Sequence, residues 1–276
     1  MKVLLVDIGV FQPYILDNIK NLKLFGNNDI TVITEPQFFK FFDGLSVELI
    51  DQHNLNEKVY KQKSRLDAHF WGGFWQHCSR RFFLINEYMK QYNAKNCVHL
   101  ENDVISYVNF SELFKDIDQT KLWLAIDSST RCIPSILFIP DQTFSQKIVD
   151  NYDYAKNDMI NLGNIYYNTD FCESFPIINE GFEHLSKNFN GYIYDAAAIG
   201  QYLGGIDPRH EGGNKPGLVS PDCVVKYNNY KFYWKQINGL YVPHLEDIPI
   251  VNLHIHCKRL HDFIASNPQE TTIIKK

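Results

Sequence analysis

The chain has 276 residues, with 27 Lys and Arg against 32 Asp and Glu. Its net charge of −5 leaves no basic surplus of the kind a general nucleic-acid binder needs. An apolar share of 45% is that of an ordinary globular protein long enough to bury a sizeable core. Six cysteines (Cys78, Cys97, Cys132, Cys172, Cys223 and Cys257) are scattered without a Cys-x-x-Cys pair. That spacing excludes a zinc-finger scaffold and reads as free thiols in a reducing compartment.

Val3 to Val10 is apolar but short and is interrupted by Asp7, so it reads as a first strand rather than a signal peptide. No apolar run approaches membrane-spanning length, and a soluble, cytoplasmic protein is expected. After the strand Lys2 to Ile8 comes a helical pattern from Tyr14 to Leu24 with Ile15, Ile19 and Leu22 on one face. Phe25 to Asp29 makes a turn into a second strand, Ile30 to Thr34, closed by Glu35-Pro36. A short Phe-rich helix, a third strand at Val47 to Ile50 and a long helix from Phe74 to Tyr92 follow. Strands are expected at Lys121 to Asp127 and Ile133 to Ile139, with a helix from Asp141 to Tyr152 opened by an Asp cap. From Asp153 the pattern loosens. Gly204 to Gly217 is a long Gly-rich loop of the kind that often serves as a lid, and Ile250 to His256 returns to a strand. Strands alternating with helices predict an α/β fold with a mostly parallel sheet flanked by helices. One domain over 1–276 is expected, with halves at 1–130 and 131–265 and a tail at 266–276.

Between the long helix and Val104 lies Cys97-Val-His-Leu-Glu-Asn-Asp103, an apolar run that ends in two carboxylates. Strand alternation would aim Glu101 and Asp103 to the same side, where they repel each other unless a cation sits between them. A lone Glu-x-Asp is ordinarily a solvated acidic turn, so its setting has to decide. In doubly wound sheets ligands bind beyond the carboxyl ends of the strands. Ile8-Gly9 and Thr34-Glu35 would line the same crevice as the acidic pair. Near the other end of the chain, Asn252-Leu-His-Ile-His-Cys-Lys258 puts His254 and His256 on one strand face with Lys258 and Arg259 behind them. Imidazole with two carboxylates is a mixed N/O donor set that suits Mn²⁺ better than Mg²⁺, and Lys258 can offset phosphate charge.

An acidic-x-Asp motif at a strand end, an α/β half before it and a late His resemble the GT-A glycosyltransferases, whose Rossmann-like fold binds a nucleoside-diphosphate sugar through Mn²⁺ or Mg²⁺. Here the motif is Glu101-Asn102-Asp103, with Glu in place of the usual first Asp. The resemblance implies that Glu101, Asp103 and one of His254 and His256 hold the metal. It implies that Ile8, Gly9, Glu35, Arg81, Asn102 and Lys258 face the donor, with Arg80 the alternative to Arg81 and Ser64 to Asp67 a weaker candidate. The implied acceptor is a glycan or another hydroxyl compound. Asp195, which opens Tyr194-Asp-Ala-Ala-Ala-Ile-Gly-Gln-Tyr-Leu203, reads either as an N-cap or, by the family pattern, as the base of an inverting transfer, with Glu180 and Asp207 as rivals. Two other functions compete. A metal-dependent nucleotidyl or phosphoryl transferase would share the metal logic, although a Gly-rich Lys-Ser/Thr phosphate loop is absent. A non-catalytic sugar-binding module would use the many Tyr and Trp residues as stacking platforms.

Overall fold

The structure is a computed structural model that describes residues 1–210 and 220–269, together with the backbone of 274–275. Of the Gly204 to Gly217 loop, residues 211–217 lie outside the described residues, as do 270–273 and 276 of the tail.

A seven-stranded sheet forms the centre. Its strands are β1 (Lys2–Asp7), β2 (Ile30–Thr34), β3 (Glu48–Asp51), β4 (Cys97–Leu100), β6 (Leu122–Ile126), β7 (Cys132–Ile139) and β8 (Cys172–Ser174), in the order β3-β2-β1-β4-β7-β6-β8. Only β7 runs against its neighbours. The fold is therefore α/β with a mostly parallel sheet, as the alternation of elements predicts. Along β1, β2, β4 and β7 nearly every side chain is buried, because helices cover both faces of a parallel sheet. The flanking helices are α1 (Ile15–Leu24), α2 (Lys58–Lys63), α3 (Phe74–Tyr92), α4 (Phe110–Leu113), α5 (Gln142–Asp150), α6 (Asp158–Asn168), α7 (Glu183–Ser186) and α8 (Ile199–Gly204). The long helix occupies the predicted span. A Phe-rich 3₁₀ turn at Pro36–Phe42 stands where a short helix is expected.

Two smaller sheets stand beside the central one. A hairpin of β9 (Phe232–Ile237) and β10 (Leu240–Leu245) is flanked by β11 (Ile248–Pro249) and β13 (Ile274–Lys275). Its two-residue turn, Asn238-Gly239, has φ of 52° and 83°, the left-handed pair that a type I′ turn requires. The second is the antiparallel pair of β5 (Val104–Ser106) and β12 (Asn252–His254), in which His254 lies opposite Val104.

That pair corrects two expectations. Glu101 and Asp103 are not on one continuous strand: β4 ends at Leu100, and the Val104 N–H bonds back to the Glu101 carbonyl at 3.1 Å. A tight turn, rather than strand alternation, brings the two carboxylates together. The strand expected over 250–256 likewise ends at His254, and the Lys258 N–H closes a turn on the Ile255 carbonyl at 3.1 Å. His256 thus lies beyond the strand, although its ring stays 4.5 Å from that of His254.

Helix α8 is pressed against this pair. A Cβ on Gly200 would lie 2.1 Å from the His254 carbonyl oxygen, a contact that only backbone movement can relieve. Gly200→Ala is expected to destabilise the protein by about 2–3 kcal/mol or more, read as a fall in urea midpoint. An unchanged midpoint would mean that α8 does not pack on β12 as described.

Candidate functional site

In the chain order of the sheet, β1 is followed by β2 on one side and by β4 on the other. This reversal opens a crevice beyond the carboxyl ends of β1 and β4, the place where open α/β sheets bind ligands. The turn at Glu101 to Val104 forms its floor. Main chain and amides hold the turn in place. Asn102 donates its amide to the Val6 carbonyl at 2.9 Å, the Asp7 carboxylate at 3.2 Å and the Gln12 side chain at 2.9 Å. Asn18, buried on α1, donates to the carbonyls of Glu101 and Asn102. The donor-contact candidate Asn102 thus spends its N–H groups on anchoring the motif to β1.

The pairing of β12 with β5, extended by the bond from the Ile255 N–H to the Asp103 carbonyl at 2.8 Å, delivers His254 to this turn. The imidazole Nε2 is 3.0 Å from Asp103 Oδ2, and Nδ1 is 3.5 Å from Glu101 Oε2. Glu101, Asp103 and His254 present ligand atoms all within 4.8 Å of one another, a spacing that metal–ligand bonds of about 2.0–2.4 Å can span. Glu101 Oε2 and His254 Nδ1 are buried without a hydrogen-bond partner. An unsatisfied oxygen and nitrogen facing each other over that distance suit a cation between them. His256 stacks behind, its ring 4.5 Å from that of His254. Burial and the neighbouring His254 and Lys258 hold its pKa well below the ordinary value, so it stays neutral. Of the two histidines, the geometry brings His254 to the carboxylates.

Two further cations meet the acidic pair. Arg81, on α3, is expected to face the donor phosphates. The structure instead wedges its guanidinium between Glu101 Oε1 at 2.6 Å and Asp158 Oδ2 at 2.5 Å, with both partners nearly enclosed. Arg80 is likewise occupied, by Glu57 and Gln52. Lys258 reaches Asp103 Oδ2 directly and lies 3.7 Å from Asp207 Oδ2. Burial raises the Asp103 carboxyl, but His254 and Lys258 outweigh it and hold its pKa well below the usual range. Burial lowers the His254 imidazole, while Asp103 and Glu101 raise it above its ordinary value.

The rest of the crevice wall comes from the ends of β1 and β2. Ile8 is buried, and the Gly9 N–H donates to Glu35 Oε1 at 2.9 Å, an oxygen that also accepts from Gln52 at 2.8 Å. Gly9 has φ +85°, and a Cβ there would strike the His77 imidazole at 2.6 Å, so the backbone passes where only glycine fits. Glu35 therefore braces the exit from β1.

Asp195 is corrected most sharply. Its Oδ1 accepts from the N–H groups of Ala198 and Ile199 at 2.7 and 2.8 Å, and its Oδ2 from Gly200 and His254 at 2.8 and 2.9 Å. It is fully buried, and its carbonyl accepts the Ser135 hydroxyl. The alanines after it are not helical, since Ala197 sits at φ +60° and α8 begins at Ile199. With both oxygens committed to main-chain donors, Asp195 anchors the backbone of His254 and is not open to an acceptor. Of its rivals, Glu180 is exposed, whereas Asp207 lies beside Lys258 and is held by Arg209.

Asp158, Asp7 and Tyr14 are participants that the sequence leaves unmarked. Asp158 follows an Asn157 cap, a helix-start signal legible within the loosened stretch after Asp153, but its pairing with Arg81 has no local signature. Asp7 ends a buried strand, and a carboxylate in such a place is itself a clue. Its Oδ2 has no partner. Burial pushes its pKa up to about 7, helped by Glu35 and opposed by the Gln12 N–H. Tyr14 lies under the Lys258 ammonium, and burial together with Asp103 and Asp7 raises its pKa.

No protein-family model matches the sequence, and no curated protein matches it either. Among solved structures, the glycosyltransferase GlyE of Streptococcus pneumoniae TIGR4 is similar over 63% of this chain at 16% identity, with a TM-score of 0.42. The match spans 45% of that enzyme, less than half its length. The galactosyltransferase LgtC, solved with donor and acceptor sugar analogues, is similar over 64% of this chain and 73% of its own, at 11% identity and a TM-score of 0.43. Mouse xyloside xylosyltransferase 1 is similar over 64% of this chain and 86% of its own, at 11% identity and a TM-score of 0.43.

Two measurements check this geometry. Asp195→Ala strands four buried N–H donors and is expected to cost at least about 3–4 kcal/mol of stability, or to prevent folding. A free catalytic base would leave the melting temperature unchanged. The second concerns Asp7. Its folded pKa lies above its unfolded one, so its own contribution to stability is most favourable below about pH 4 and is lost as pH rises through about 7. At about 1.4 kcal/mol per pKa unit, Asp7→Asn should stabilise the protein by up to about 4 kcal/mol at pH 8 and not at pH 4. A pH-independent difference between the two proteins would contradict that.

Proposed function

We propose that the protein is a divalent-metal-dependent glycosyltransferase that moves a sugar from a nucleoside-diphosphate sugar to an acceptor hydroxyl. The observation that carries this reading is the convergence of Glu101, Asp103 and His254 at the reversal point of the sheet, with an unpartnered oxygen and nitrogen facing each other. Those three residues would hold Mn²⁺ or Mg²⁺, and the mixed donor set favours Mn²⁺. Once bound, the cation would neutralise the charge that grows on a departing nucleoside diphosphate.

The remaining roles fall to the chain's own groups. Arg81 and Asp158 fix Glu101 so that its second oxygen stays turned toward His254. Lys258, at the crevice mouth, supplies a point charge for phosphate. Asp7 and Glu35, at the β1 and β2 ends, and Tyr14, just before α1, would lie beside the nucleoside. The commitment of Asp195 to main-chain donors withdraws the support it lent to inversion. All six cysteines are unpaired, which fits a reducing, cytoplasmic setting. Among the described residues no helix is long and apolar enough to cross a membrane.

A thermal-shift screen of nucleoside diphosphates and their sugars, with and without Mn²⁺, tests the binding half. At about 100 times its Kd a true ligand stabilises by about 2.7 kcal/mol, which should raise Tm by several degrees only when Mn²⁺ is present. Sugar release from the responding donor should then require Mn²⁺ and fall at least about a hundredfold in Asp103→Ala. Normal turnover in that variant would sink the metal reading, and a donor that binds without turnover would favour a sugar-binding module.

A further inference from the structure

We propose that Lys258 is a built-in counter-cation that occupies Asp103 when no metal is bound and must leave that carboxylate when a divalent cation arrives. The inference rests on the metal reading above and deepens it: the ammonium, rather than the donor set, sets how weakly the bare site takes metal.

Three observations carry it. Lys258 Nζ sits on Asp103 Oδ2, the same oxygen that faces His254 Nε2 at 3.0 Å. An ammonium and a divalent cation on one carboxylate oxygen repel each other, most strongly where little water screens them. The second observation is conformational. Lys258 holds φ +62°, a left-handed backbone that a side chain with a Cβ adopts at a cost. It follows the turn closed on Ile255, and the side chain reaches Asp103. The third is a second place for the displaced charge. Asp207 Oδ2 lies 3.7 Å from Nζ and is held in position by Arg209 at 2.7 and 3.0 Å. Glu101 has no such exchange available, since Arg81 is wedged between it and Asp158. The acidic pair is thus neutralised by one fixed cation and one movable one. A bound diphosphate would offer the displaced ammonium a stronger partner, so metal and anion would each favour the other through Lys258.

Mn²⁺ affinity, measured by titration calorimetry on the whole chain without nucleotide, is the test. Lys258→Met and Lys258→Gly should both bind Mn²⁺ roughly tenfold tighter or more than wild type. The glycine also relieves the left-handed backbone and so guards against a folding defect. Lys258→Arg, which keeps a cation, should stay close to wild type. Asp207→Asn, which removes the alternative partner, should bind Mn²⁺ more weakly. Equal or weaker Mn²⁺ binding by both uncharged variants, with wild type still binding, overturns the counter-cation role and leaves the metal reading standing. If Mn²⁺ binds none of these proteins, both readings fall.

Discussion

The site depends on the three-residue antiparallel pairing of β5 with β12. It is a small piece of sheet, yet it joins positions almost 150 residues apart and sets which late side chain meets the acidic turn. With His254 opposite Val104 and the Ile255 N–H on the Asp103 carbonyl, the imidazole lies against the two carboxylates. A slip of one residue would carry His254 to the other face and Leu253 into the crevice. The structure guards this register from behind. Asp195 receives the His254 N–H on the oxygen that also takes Gly200, and Gly200 lets α8 approach the His254 carbonyl closely. A buried carboxylate with four main-chain donors and a glycine with no room for a Cβ are two halves of one clamp.

Electrostatics divides the crevice into a rigid side and a responsive side. Glu101, Arg81 and Asp158 form a nearly enclosed chain of charges across the turn, α3 and α6. Buried ion chains of this kind seldom add much net stability, because desolvation offsets the attraction. What this one provides is orientation, since it consumes one oxygen of Glu101 and leaves the other facing His254. Asp103, Lys258 and Asp207 make up the responsive side, where the lysine is more exposed than Arg81 and has two carboxylates within reach.

The two sides meet where β1 and β4 diverge. Strand order explains why the acidic motif, the Asp7 carboxylate and the Gly9 exit loop are neighbours although they lie far apart in the chain. Parallel strands point their carboxyl ends to the same edge, and the reversal of winding separates the loops that follow β1 and β4. Arg81 is held there between Glu101 and Asp158, and Lys258 lies between Asp103 and Asp207.

Much of this was readable along the chain. Alternating strand and helix patterns with near-continuous apolar strands predicted a covered, mostly parallel sheet, because strands buried on both faces need helices on each side. An apolar run ending in Glu101-Asn102-Asp103 and a late His-x-His both stood out as chemistry, because charged and imidazole groups beside buried strands need partners. The turn chemistry of Asn238-Gly239 and the Asn157 cap were also there to be read, although the hairpin and α6 they open lay outside the expected elements. What composition and spacing left open were the commitments of individual polar groups. Asp195 looks alike as a cap or a base, and Arg81 looks alike as a free cation or a bound one. Each choice depends on which hydrogen-bond donors and charges arrive from distant segments. Which histidine reaches the carboxylates, and which lysine neutralises them, was decided by register and by turns at residues 101–104 and 255–258. Tertiary contacts alone choose between those states, since a side chain's neighbours in space are set by strand pairing rather than by its neighbours in sequence.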